Sequence, residues 1–283
     1  MKRNDPSALR VFFQKFPRLL LAGAMYSAAL AAFTALAVLA ARLSGFYNII
    51  VAGLGIIPSS VFLPGLVMVL RKYAVEKQFV SVPKTFWEAV RENGKAFLLH
   101  GVVIYLVTAC AAFAFLYYGL GALVNTSYAM VFSLYMLFTC VLVIAMSYLV
   151  LMSVTYELRL RDLYKNALLM VFAALPRNLL ALLYIFVIGA GVVSALLFTA
   201  GALRRVIIGF CVLLCPLVTG YGVTAIISKS MRENVGEFVG VADGEPKEAS
   251  REEPTAPESL ESDSDYVFVN GKMIKNPNKE AEK

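Results

Sequence analysis

Histidine and tryptophan occur once each in this chain, and charged residues, 16% of the total, are missing altogether from six long stretches. With His100 as the sole histidine there is no HExxH zinc pair, and no Walker phosphate loop or glycine-rich dinucleotide fingerprint is present. The long stretches also lack the buried ionisable group around which ion-driven carriers are built, because a charge in hydrocarbon is costly unless it is used. Cysteine is scarce. Cys110, Cys140, Cys211 and Cys215 all sit inside apolar runs, where a thiol reads as a small packing residue rather than a disulfide partner. Cys211 and Cys215 stand at i, i+4, but no His or acidic residue joins them, so no metal and no cofactor is expected.

What is present is apolar: 59% of 283 residues. Crossing about 30 Å of hydrocarbon takes about 20 helical residues. Runs at 19–41, 47–70, 96–118, 128–152, 178–203 and 206–227 meet that length without an interior charge. They predict an all-α polytopic transmembrane bundle of six spans occupying residues 1–232. The first run is too long for a signal-peptide core and stops at Arg42, which reads as an uncleaved helix.

Orientation follows from the cations, since Lys and Arg are retained on the cytoplasmic side. The segment before span 1, the 2–3 and 4–5 loops and the residues after span 6 up to Arg232 hold 17 Lys and Arg, against three in the opposite loops. Both termini are therefore expected in the cytoplasm. The largest inner loop, "RKYAVEKQFVSVPKTFWEAVRENGKAF" at 71–97, contains the single tryptophan. Thr85-Phe86-Trp87-Glu88 has capping-box spacing and Pro83 precedes it, so a short helix is expected to begin near Thr85. Interleaved Glu76, Glu88 and Glu92 argue against a nucleic-acid partner.

A second inner helix is expected where Leu160, Leu163, Tyr164, Ala167, Leu168 and Val171 recur at helical spacing, up to Pro176. Insertion of 167–175 into the bilayer is a competing parse. The lipid bilayer is the first partner these two amphipathic segments imply. Lys15, Arg18, Lys72, Trp87, Arg91, Arg161 and Arg177 are the candidate membrane-interface anchors, cations and an indole suited to the headgroup zone.

Inside the spans, Gly23, Ser27 and Ala31, then Gly191 and Ala195, then Gly220 and Thr224 form small-residue rows that allow close helix packing. Pro58, Pro64 and Pro216 mark kinks or a cavity. His100, where span 3 leaves the interface, is either structural or a base beside a nucleophile, and the second role requires a Ser or Cys from another span.

Local wording along the chain includes Phe12-Phe13-Gln14-Lys15-Phe16, Leu63-Pro64-Gly65 and Arg71-Lys72 leading to Phe86-Trp87-Glu88-Ala89 and Asn93. It continues in Lys165-Asn166-Ala167-Leu168 and Leu175-Pro176-Arg177-Asn178-Leu179-Leu180. In these stretches and their order, over roughly residues 8 to 230, the chain resembles the YesL-like family of bacterial integral membrane proteins. The resemblance implies a plasma-membrane protein associated with carbohydrate uptake and brings no catalytic residues.

Residues 233–283 form an acidic tail with 13 acidic and six basic residues. Its Pro- and Ser-bearing stretch 243–265 cannot bury enough apolar surface to order itself, so a flexible cytoplasmic tail is expected. Asn270-Gly271 between strand-like residues signals a hairpin at 266–275, which either docks on a cytoplasmic protein or remains a free terminus. Together these features point to a non-enzymatic accessory or scaffold protein of a transport system, acting beside a membrane permease. A small-solute facilitator is the alternative, and a lipid-linked enzyme is third.

The expected topology is testable by labelling. In a background without native cysteines, a cysteine replacing Asn125 should react with an impermeant maleimide on intact cells, whereas one replacing Trp87 should react only after permeabilisation. The inverse pattern would overturn the orientation.

Overall fold

A computed structural model describes residues 8–45, 48–156, 158–239, 266–269 and 272–275. It is an all-α bundle with six helices long and apolar enough to cross a membrane. Helix α1 (Ala8–Gln14) leads into α2 (Phe16–Leu43), the first span. The second span is segmented into α3 (Ile49–Ala52), α4 (Ile56–Ser59) and α5 (Leu63–Ala74), joined by 3-10 turns at Gly53–Gly55 and Ser60–Phe62. Then come α6 (Val82–Ala114), α7 (Thr126–Thr155), α8 (Leu160–Ala173), α9 (Leu175–Leu197) and α10 (Gly201–Val239).

Two short strands, β1 (Tyr266–Val269) and β2 (Lys272–Lys275), pair antiparallel with Tyr266 opposite Lys275. The rest of the expected flexible tail, including 243–265 and the Asn270-Gly271 turn, lies outside the described residues. Helix α10 runs through residue 232, where the sequence suggested an end to the membrane domain, as far as Val239.

Several boundaries differ from the sequence expectation, each for a physical reason. No separate helix starts at Thr85. Ser81 is the N-cap in extended conformation, Pro83 lies in the first turn, and the helix continues into span 3 without a break. A proline there loses nothing, because the first-turn N–H groups have no intrahelical acceptor anyway. The fifth span ends at Leu197 rather than near 203, which puts Arg204 and Arg205 in the first turn of α10. Pro176 likewise starts α9 instead of merely interrupting a pattern.

The segmentation of span 2 follows from its prolines. Pro64 cannot donate to the Ser60 carbonyl, and the Leu63 N–H bonds that carbonyl in a tighter 3-10 turn instead. The buried Ser60 hydroxyl lies 2.6 Å from the Ile57 carbonyl and 2.7 Å from that of Phe97 on α6, tying the turn to the next span. A side chain at Gly101 would occupy the place of that hydroxyl. At Gly55 an added Cβ would come within 2.6 Å of the Thr34 backbone, so α2 passes this turn main chain against main chain. Helix α5 stops at Ala74, and just beyond it Lys77 takes φ 54° and the Gln78 N–H bonds back to the Lys72 carbonyl at 3.0 Å.

The core is lopsided. Helix α7 buries nothing before Ile144, α9 buries only Asn178 and Ala181, and α10 buries nothing before Leu217. Large side chains such as Tyr73, Tyr148, Phe86, Phe97, Leu70 and Leu149 fill the half where the Lys- and Arg-rich segments gather, hereafter the basic end. The opposite halves of the helices expose Leu, Val and Phe outward, as expected of surfaces that face lipid.

At the far end, a π-helical turn over Phe115–Gly119 and the start of α7 assemble an aromatic cluster. Tyr118 stacks on Tyr135 at 5.5 Å, and Tyr117 and Tyr128 meet edge to face at 6.0 Å. Two of the three small-residue rows are spent inside the chain. Ser27 donates to the Val212 carbonyl at 2.8 Å, and a Cβ on Gly220 would sit 2.9 Å from Leu70. Gly191 faces open space.

Backbone proximity at Gly55 yields a stability prediction. Gly55→Ala should cost about 1–3 kcal/mol, because main chain cannot rotate away as a side chain would. Gly189→Ala, whose methyl meets open space, should be neutral or stabilising by up to about 1 kcal/mol through helix propensity. Unfolding midpoints of both variants in detergent measure the contrast, and equal midpoints would refute the close approach.

Candidate functional site

Many of the long-range polar contacts of the bundle gather at the basic end. Its construction begins with α8, a helix too short to span. Leu163, Ala167, Met170 and Val171 are buried on one stripe against α7, while Leu168, Leu169 and Phe172 point outward. A surface helix needs partners for its last carbonyls. Asn178 supplies them: its Nδ2 donates to the Met170 and Val171 carbonyls at 2.9 and 2.8 Å. The Asn178 Oδ1 accepts from the Tyr148 hydroxyl at 2.9 Å. The Leu-Pro-Arg-Asn sequence at 175–178 is thereby explained. Proline opens α9, and asparagine closes α8 while fastening both helices to α7.

Arg177, next to it, reaches α10. Its guanidinium pairs with both carboxylate oxygens of Glu233, with Nη2 2.8 Å from Oε1, and approaches the Ser230 hydroxyl at 3.4 Å. Glu233 is more than half exposed, so this pair orients the helix ends more than it stabilises them. Arg71 bridges α5 to the end of α7, 3.4 Å from the Val154 carbonyl, and shares Glu76 with Lys72. Arg232 reaches the Val75 carbonyl at 3.4 Å.

His100 forms the third fastening. It is fully buried, with Nδ1 2.9 Å from the Tyr164 hydroxyl on α8 and Nε2 3.2 Å from the Ser153 hydroxyl on α7. A neutral imidazole donates from one nitrogen and accepts at the other, so one of these hydroxyls donates and the other accepts. Burial raises the Tyr164 phenol above its ordinary value, which keeps its proton available at neutral pH. The contact with Ser153 meets the first requirement of a serine nucleophile. Nδ1, however, faces a phenol instead of a carboxylate that would hold an imidazolium. The arrangement acts as a crosslink between α6, α7 and α8.

Beside this crosslink lies a cavity of about 280 Å³ between α6, the end of α7 and the entry to α8. Ser153 opens onto it together with Glu92, Asn93 and Tyr156, and Leu160 and Leu163 form an apolar wall.

The candidate interface anchors occupy separate parts of this end. Lys15 lies over the Phe79 ring at 4.2 Å, and Arg18 lines a surface groove with Phe79 and Ser81. Trp87 and Arg91, one turn apart, share a second groove with Lys84 and Glu88, and Trp87 meets the Phe62 and Phe86 rings edge to face. Lys72 is paired with Glu76. Arg161 is exposed in the first turn of α8, and Arg177 is drawn into its pair with Glu233. Sequence reasoning missed Asn178, Ser153 and Tyr164 as a connected set. For Asn178 a signal existed: an amide directly after a helix-ending Leu-Pro.

Removing the cap has a calculable consequence. Asn178→Leu leaves two helix-end carbonyls and the Tyr148 hydroxyl without this partner in buried surroundings, at about 1–3 kcal/mol for each group left unsatisfied. It should lower stability by at least about 2 kcal/mol, against about 1 kcal/mol for Tyr148→Phe. Equilibrium unfolding in mixed detergent micelles reads both, and native-like stability of Asn178→Leu would show that α8 needs no cap.

The chain is a multi-pass membrane protein whose polar contacts gather at one end. Compared with family models, with curated proteins and with solved structures, it matches none.

Proposed function

We propose that this protein is a non-enzymatic accessory or scaffold subunit of a membrane transport system, resident in a bacterial plasma membrane with its basic end and both termini in the cytoplasm. The single observation supporting this reading over a facilitator is the filled core. Leu19, Leu66, Leu70, Leu217 and the Tyr73 ring occupy the centre of the contact between α2, α5 and α10, all essentially inaccessible. A solute path needs polar groups lining open space, whereas the buried side-chain polar atoms here are engaged with protein partners, none of them left without one among the described residues.

The outward Leu, Val and Phe of α7, α9 and α10 give a permease or lipid a broad apolar surface to pack on. The exposed Gly191 in α9 permits close approach by a neighbouring helix. The resemblance to YesL-like proteins supports carbohydrate uptake as the system served. The phenol of Tyr164, in place of a carboxylate at Nδ1, favours a structural His100 over a catalytic one.

Affinity purification in mild detergent should recover a permease in fixed ratio with this chain, and proteoliposomes holding the chain alone should show no saturable solute flux. Saturable flux from the isolated chain would replace this reading with the facilitator.

A further inference from the structure

The cavity at the junction of α6, α7 and α8 has no part in the packing just described. Its volume of about 280 Å³ equals the space of roughly nine water molecules, below the range typical of drug-sized ligands. We propose that it binds a small uncharged molecule bearing several hydroxyl groups, a polyol or a monosaccharide.

Three observations select that chemistry. The polar wall combines a carboxylate, an amide and two hydroxyls, from Glu92, Asn93, Ser153 and Tyr156. A carboxylate only accepts, an amide offers both functions, and a hydroxyl does either, so the matching ligand groups must both donate and accept. Ligand hydroxyls do so. They also suit Ser153 in either tautomer of His100, because its hydroxyl presents an acceptor to the cavity when it donates to the ring and a proton when it accepts.

Charge selects further. Glu92 on the wall and Arg71 and Arg232, which act on the Tyr156 phenol, set opposing fields, so a charged ligand of either sign gains little to offset its lost hydration. A neutral ligand has no such hydration to lose. Finally, Leu160 and Leu163 in the same lining present aliphatic carbon that suits the C–H face of a sugar ring or polyol. The inference is independent of the accessory role, since binding is read on this chain alone.

The test uses the purified full chain in detergent, with isothermal titration and ligand-dependent thermal shift. The probes are glycerol, myo-inositol and D-glucose, with glucose 6-phosphate and glucosamine as charged counterparts. At least one uncharged probe should bind saturably, and the charged counterparts should bind about tenfold more weakly than glucose or not at all. Ala96→Phe, which fills the cavity, should abolish binding while the unliganded unfolding midpoint stays within the native range. Asn93→Leu should weaken binding about tenfold through a lost hydrogen bond, and it decides the location should Ala96→Phe fail to fold. The proposal is overturned if none of the uncharged probes binds, if a charged counterpart binds as tightly as the best of them, or if the deciding variant binds like the native chain.

Discussion

Hydrocarbon offers no hydrogen bonds, so a polar group carried into the bilayer must find its partner within the protein. Most of the side-chain geometry described above answers that constraint. Ser60 is held over Gly101 by two carbonyls, Ser27 bridges α2 to α10, Tyr184 donates to the Val218 carbonyl at 2.8 Å, and Asn178 satisfies two ends at once. All of these bonds except that of Ser60 to Ile57 join different helices. Helix contacts in lipid gain little from hydrophobicity, because the surrounding tails are as apolar as leucine, so such bonds and close packing decide which helices touch.

The same constraint accounts for the lopsided core. Polar crosslinks are cheapest near the interface, where unpaired groups can still reach water, and the dense packing of α5, α6, α7 and α10 follows them there. The far halves have almost no polar side-chain bonds between helices and few buried residues; they meet lipid individually. The two ends therefore differ in chemistry. One has cations and Trp87, and the other has the tyrosine and phenylalanine cluster of α6 and α7, both residue kinds that favour the headgroup zone.

Legibility in the sequence divides along the same line. The six spans were readable because hydropathy is additive along a helix and needs no knowledge of neighbours. The amphipathic 160–173 helix was readable because its buried stripe, Leu163, Ala167 and Val171, repeats at helical spacing. The start of α6 was misread at Thr85. Capping-box spacing and a preceding proline are local signals, but Ser81 takes the extended N-cap conformation and Pro83 fits the first turn, so the helix begins one turn earlier. The candidate site was the least legible part. Ser153 is 53 positions from His100 and Tyr164 is 64, so only the packing of α6 on α7 and of α8 on α7 could bring them together. The cavity beside them is a property of three helices and has no signature on any one.

Helix α8 is where these threads meet. The span before it, α7, is held by the buried apolar residues from Ile144 onward, but α8 crosses nothing. Its position rests on one apolar stripe, the Asn178 cap and the Tyr164–His100 contact. The cavity is built from the same three helices, with Ala96 on α6, Ser153 on α7 and Leu160 and Leu163 on α8 itself. A ligand seated there as proposed would touch α8 and the spanning helices together, while Leu168, Leu169 and Phe172 remain outward on α8.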